Sequence, residues 1–341
     1  MVFTSSYKSL PIRKDAAIWN VLEEQARDRP ASPAFICGLT DRVLTYADVL
    51  QQAKYVCAGL AADGIKKGDV VILHSFNCIE YPIVFLALNR LGAICSPSSP
   101  LFNAAELADQ IVLSKAVAVV SHAVLAKAAI DGAAQVTGLP RPRVYTLGQG
   151  EGLFNVIGWI NFEMLNSNLT VLMEYRDLIA KALPLPHLPP IDPSAVVTMP
   201  FSSGTTARPK GVELSARAMY STGLLSTSIE DFAPYILGLL PFFHIMATMT
   251  FHVSIFMGSA IVILPRFEPE TLLRVVEKYK MEKLSLAPPL VTFFAKHPII
   301  AKYDLSSVKY LMSGGAPLGK EIISAIHDRL GASVLQGYGM T

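Results

Sequence analysis

Short apolar runs rich in β-branched residues alternate with helical segments along most of this chain. That alternation restricts the architectures open to it. Strand-like runs cover 69–74, 116–120, 195–199, 260–264 and 308–312. Helix-like segments lie between them at 80–91, 104–114, 270–280 and 318–330. Strands that are apolar without alternation must be buried on both faces, and intervening helices supply the cover. The predicted fold class is therefore α/β with mostly parallel sheets. The stretch 245–264 has the length of a membrane span. Gly258-Ser259 interrupts it and Ile261-Val262-Ile263 follows, so it reads as a buried helix leading into a buried strand, with no transmembrane segment.

The 341 residues suffice for a large core or for two to three lobes. Hydrophobic residues make up 52% and charged ones 16%, which calls for extensive burial. The net charge of +2 comes with no clustered basic patch, so no nucleic-acid partner is expected. Cys37, Cys57, Cys78 and Cys95 lack CxxC spacing and sit in apolar contexts, as reduced core thiols do. Residues 1–15 contain no continuous apolar segment of the secretory kind. A proline-rich linker at 183–193 forces extended backbone just ahead of the run at 195–199. The stretch 149–168 is poorly periodic and receives no assignment.

The richest chemistry lies in Phe201-Ser202-Ser203-Gly204-Thr205-Thr206-Ala207-Arg208-Pro209-Lys210-Gly211-Val212. Glycines let backbone N–H groups approach phosphate oxygens, hydroxyls add donors, and Lys210 brings a compact positive charge. The spacing is not that of a Walker A loop, because Pro209 stands where the second glycine of that pattern belongs. Taken alone, the run also fits a surface connection rich in Ser, Thr and Gly. Three more segments bear on the choice: Leu240-Pro241-Phe242-Phe243-His244, Ser313-Gly314-Gly315-Ala316-Pro317-Leu318, and Gln336-Gly337-Tyr338-Gly339-Met340-Thr341.

Together, and in this order, the four segments resemble those of the adenylate-forming superfamily, which holds acyl- and aryl-CoA synthetases, beetle luciferases and peptide-synthetase adenylation domains. The 4-coumarate–CoA ligase-like branch is the nearest in pattern. The phosphate run matches at Ser203 to Thr206 and at Pro209 to Gly211. It departs at Ala207, where the family usually has glycine and where a methyl group restricts positive φ.

The resemblance implies two αβαβα lobes. One would be discontinuous, built from 1–66 plus 210–341, and the other would span 67–209. It also implies ATP-dependent activation of a small-molecule carboxylic acid to an acyl-adenylate, followed by thioester formation with coenzyme A, with Mg2+ on the phosphates. Ser202, Ser203, Gly204, Thr205, Thr206 and Lys210 would hold the β- and γ-phosphates. Gly314, Gly315, Ala316, Gln336, Gly337 and Tyr338 would take the adenine and its surroundings. Thr341 would reach the α-phosphate or the Mg2+ shell. His244, Met246, Thr250 and Gly315 would line the acyl pocket, with Lys210, His244 and Thr341 as the catalytic set. Relatives continue into a magnesium-binding glutamate, a ribose-binding aspartate, a hinge and a C-terminal domain with a catalytic lysine. This sequence ends before them, so it reads as truncated before the C-terminal domain and impaired in adenylation. Two alternatives stay open: a catalytically silent nucleotide or acyl-adenylate binding module, and a luciferase-type oxygenase. The compartment stays open between cytoplasmic and peroxisomal.

Overall fold

The computed structural model describes residues 10–140, 142–148, 173–202, 209–229 and 232–339. Its strands in chain order are β1 (Pro33–Cys37), β2 (Val43–Thr45), β3 (Val70–His74), β4 (Ile94–Ser98), β5 (Ala118–His122), β6 (Arg143–Leu147), β7 (Met173–Glu174), β8 (Val196–Thr198), β9 (Phe201–Ser202), β10 (Lys210–Gly211), β11 (Leu214–Ser215), β12 (Tyr235–Gly238), β13 (Ala260–Ile263), β14 (Lys283–Leu286), β15 (Tyr310–Gly314) and β16 (Ser333–Gly337).

They form a seven-stranded sheet in the order β11-β8-β4-β3-β5-β6-β7, parallel except for β11. A four-stranded sheet, β12-β13-β1-β2, is parallel except for β2. A three-stranded sheet, β14-β15-β16, is wholly parallel, and β9 pairs with β10 antiparallel. The α/β reading with mostly parallel sheets is therefore correct. Residues before 66 and after 230 share the four-stranded sheet through the β1–β13 pair, while β11 joins the seven-stranded one.

Both faces of the central strands are buried, which explains their unbroken apolar runs. In β3, Val71 and Leu73 face the core shared with Phe35, Phe85 and Phe251, while Ile72 faces Leu107, Ile111 and Ile130. The four-stranded sheet likewise gives Phe35 and Ile261 to that shared core. Its Ile36, Leu237 and Val262 go to a second core with Leu284, Phe294 and Leu311.

Helix Ala104–Ser114 starts where a reciprocal cap allows it. The Asn103 side chain accepts from the amides of Ala105 and Glu106, and the Glu106 carboxylate accepts from the Asn103 amide. Helix Glu80–Leu91 ends on Gly92 at φ +79. The apolar stretch at 245–264 divides into helix Ile245–Met257 and β13, with Gly258 between them at φ +68. No described helix is long and apolar enough to cross a membrane.

Boundaries moved by one or two residues at several elements. The run predicted at 308–312 became β15 at 310–314, because Val308 closes a turn onto Leu305 and Lys309 pairs with Glu282 before the ladder begins. All four cysteines are free thiols. Cys57, buried among apolar side chains, has its thiol pushed up to about 12. The unassigned stretch at 149–168 lies outside the described residues.

Candidate active site

The hydroxyl-rich run leaves from a firmly held base. The Thr198 hydroxyl donates to the Cys95 carbonyl at 2.9 Å, and the Met199 amide donates to the same carbonyl at 2.8 Å. The Ser96 hydroxyl reaches the Met199 carbonyl, and the Gln110 amide in turn donates to Ser96, both at 3.1 Å. Beyond this base, β9 and β10 run antiparallel with Lys210 opposite Ser202. The Lys210 side chain is exposed. Space at Gly211 is tight: a Cβ there would lie 3.0 Å from the Met199 sulfur and 3.3 Å from the Phe201 ring. Ser203, Gly204, Thr205, Thr206 and Ala207 lie outside the described residues.

His244 is the N-cap residue of helix Ile245–Met257 and makes no side-chain capping bond. Its carbonyl accepts from the amides of Ala247 and Thr248 at 3.0 and 2.9 Å. The imidazole lies against Phe243 with ring centroids 4.2 Å apart and planes tilted by 37°. Although partly exposed, it has lost enough water to neighbouring atoms that its pKa falls below the ordinary value. Burial thus favours the neutral imidazole, which can donate one hydrogen bond and accept another. The Thr250 hydroxyl is turned back to donate to the Met246 carbonyl at 3.2 Å.

The two glycine segments sit side by side because β15 and β16 are parallel neighbours, with Gly314 opposite Gly337. A Cβ on Gly314 would stand 3.1 Å from the Gly337 carbonyl oxygen and 3.8 Å from the Met246 sulfur. Gly315 takes φ +89, a conformation that favours glycine, and faces open space. The Gln336 carboxamide oxygen accepts from the Leu318 amide at 2.9 Å, tying the turn after β15 to β16. Tyr338 is 91% exposed, its ring unencumbered. Ala316 lies in the turn between these ties, and Thr341 lies outside the described residues.

Helix Ile245–Met257 gathers these parts. The Met246 sulfur lies 3.8 Å from where a Cβ on Gly314 would stand, while Ile245 and Met249 pack against the cluster of Val197, Ala216 and Met219 at β8. Met246, two residues from His244, thus lies near the place where a side chain on Gly314 would stand, Gly314 is opposite Gly337, and the strand feeding the phosphate run is a neighbour of the same helix. Two contributors had no sequence signal. Asn77 and Gln110 are buried carboxamides whose roles depend on partners far away in sequence.

Residues 22–341 match the family model described as AMP-binding enzyme. The chain belongs to that family, and so to the adenylate-forming superfamily. Among curated AMP-binding relatives, a 4-coumarate–CoA ligase of Humulus lupulus is 35% identical over 325 residues, covering 93% of this chain and 55% of the relative. One from Pinus taeda is 31% identical over 348 residues, covering 100% and 61%. The chain therefore spans less than two thirds of the length of these relatives. Among solved structures, an anthranilate–CoA ligase in complex with anthranoyl-AMP superposes with a TM-score of 0.82 at 19% identity, covering 97% of this chain and 61% of that one. The luciferase-like enzyme of the nonluminescent mealworm Zophobas morio gives 0.81 at 23% identity, covering 98% and 74%. These likenesses establish the AMP-binding fold.

Proposed function

We propose that this AMP-binding chain carries the nucleotide and acyl surface of an acid–thiol ligase. In the first reaction a carboxylate oxygen attacks the α-phosphorus of ATP, the bond to the β-phosphate oxygen breaks, and pyrophosphate leaves. In the second, the sulfur of coenzyme A attacks the acyl carbonyl and AMP leaves, the thiol proton passing to solvent or a base. Little covalent chemistry falls to the protein, whose task is to align the reactants and stabilise phosphate charge.

The residues fit ATP. Lys210 and Ser202 stand opposite each other at the mouth of the phosphate run, where a lysine and a hydroxyl suit β- and γ-phosphate oxygens. Tyr338 offers a free aromatic face for adenine. Gly314, Gly315 and Ala316 keep the turn slim enough for a ligand to lie along it, and Gln336 holds that turn in place. Neutral His244 and the positive end of its helix suit a carboxylate awaiting transfer. Met246 and Thr250 extend the acyl wall along the same helix. Mg2+ would neutralise phosphate charge, and the hydroxyl assigned to it, Thr341, lies outside the described residues.

The observation that carries the reading is that the side-by-side glycine segments leave open the space next to Met246, two residues from His244, that a Cβ on Gly314 would enter. Aryl–CoA ligase activity is favoured over the oxygenase reading by the 31–35% identity to 4-coumarate–CoA ligases. A thermal-shift panel of ATP, AMP and aryl or fatty-acyl sulfamoyl-adenosines tests it, since a ligand that binds only the folded state raises the melting temperature. Stabilisation by AMP and by at least one acyl analogue is expected. No shift with any of them would overturn the reading.

A further inference from the structure

Asn77 lies three residues beyond β3, at the carboxyl edge of the seven-stranded sheet, and is only 4% exposed. Its carboxamide is spent entirely on the other sheet. The nitrogen lies 2.9 Å from the Leu240 carbonyl and 3.2 Å from that of Gly238, the last residue of β12. The oxygen accepts from the Phe242 amide at 2.8 Å. With a longer contact of 3.4 Å from the nitrogen to the Leu239 carbonyl, the carboxamide meets four backbone groups of the segment leading into His244.

That segment is tied from its other end as well. The Thr248 hydroxyl donates to the Phe242 carbonyl at 2.8 Å, and the Thr248 amide donates to the His244 carbonyl at 2.9 Å. The His244 amide closes onto the Pro241 carbonyl at 3.0 Å. Phe242 is fully buried between Tyr81 and Phe251. His244 therefore stands at the end of a short segment whose every turn is hydrogen-bonded, and the outermost bonds come from Asn77. Asn77 thus hydrogen-bonds the carboxyl end of β3 to that of β12, beside the Tyr81–Phe242 ring contact. An aspartate here would lose the donors and aim charge at carbonyl oxygens. A leucine would strand the Phe242 amide without a partner.

We infer that Asn77 is a positioning residue that sets where His244 stands against the acyl part of a bound acyl-adenylate. The inference rests on the reading above, and it concerns the acyl side of the site only. Among the described residues, the hydrogen bonds of Asn77 go to 238–242 and to none assigned to adenine or the phosphates. A general loosening of the fold would weaken every ligand, whereas a misplaced His244 weakens only ligands that carry an acyl group.

The test compares AMP with the aryl or fatty-acyl sulfamoyl-adenosine that the parent chain binds most tightly, by calorimetry. For Asn77→Ala, affinity for the acyl analogue should fall on the order of tenfold or more while AMP stays within about twofold, because small misplacements near a reacting group are costly. His244→Ala should show the same split, and the double variant should lose no more than the single ones, the signature of two residues acting as a unit. Thr248→Val cuts the tie from the other end with little change of volume, and it carries the test if Asn77→Ala does not fold. Equal losses for both ligands, no loss for either, or additive losses in the double variant would overturn the inference alone. A parent chain that binds neither ligand would overturn the reading and the inference together.

Discussion

Lys210 stands directly opposite Ser202 in the antiparallel pair of β9 and β10. The strands on either side of the hydroxyl-rich run are therefore paired, and the Val212 amide donates to the Pro200 carbonyl to hold them together. The Lys210 charge is exposed and contributes nothing visible to packing.

Lys210→Ala should accordingly lower ATP affinity by roughly tenfold or more, the scale of one hydrogen bond to a charged group. Melting temperature should stay nearly unchanged. The loss should shrink as salt is raised, since exposed charges are screened. Titration calorimetry at two ionic strengths checks this, and unchanged affinity at low salt would refute the role.

Tyr338→Ala should cost about 1–3 kcal/mol of AMP binding, the range for base–aromatic stacking, with Tyr338→Phe close to the parent. Because the ring is 91% exposed, stability should move by less than about 0.5 kcal/mol. Gln336→Ala should also weaken AMP, by releasing the Leu318 amide, whereas Gln336→Glu keeps the acceptor and should preserve most of the affinity. Nucleotide titrations paired with urea melts separate these effects.

Acid should unfold the chain earlier than its carboxylates alone require. Burial holds the imidazoles of His74, His122 and His252 down to about 4. In the unfolded chain each takes up a proton near pH 6.5. Their neutral forms are fully accommodated above that pH, and stability is lost as pH falls from about 6.5 towards 4, by on the order of 3 kcal/mol per histidine. His252→Phe, placed among Phe85 and Phe251, should flatten this limb. Urea unfolding at pH 7 and pH 4.5 measures it, and an unchanged slope in the variant would count against the assignment.

Local signals carried much of the architecture. Helices 104–114 and 80–91 were readable to the residue, and the structure shows a local signal at an end of each: Asn103 and Glu106 cap each other, and Gly92 stops the other helix. β4 was not readable. Its sequence, Ile-Cys-Ser-Pro-Ser, carries a proline, and it survives as a central strand because its register with β8 is confined to Cys95 and Thr198 while β3 pairs along its whole length. β1 and β16 escaped notice for different reasons: the parallel partner of β1 is β13, far along the chain, and β16 is largely exposed, so it lacks the unbroken apolar run of a covered strand. In the candidate site, the glycine, hydroxyl and histidine segments announced themselves through unusual composition. Asn77 did not, because an asparagine just past a strand reads as an ordinary turn residue until its partners at 238–242 are known.

Parallel pairing of β15 with β16 sends their connection, helix Lys320–Leu330, back along the outside of the sheet to the opposite rim. The return bend at Gly331 is thus far from the rim that carries Gly314 and Tyr338, and nothing crowds it. Insertions and deletions can accumulate at that bend without shifting the frame of either glycine segment. The spacing between the two segments is therefore a poor guide to kinship, and their separate wording a good one.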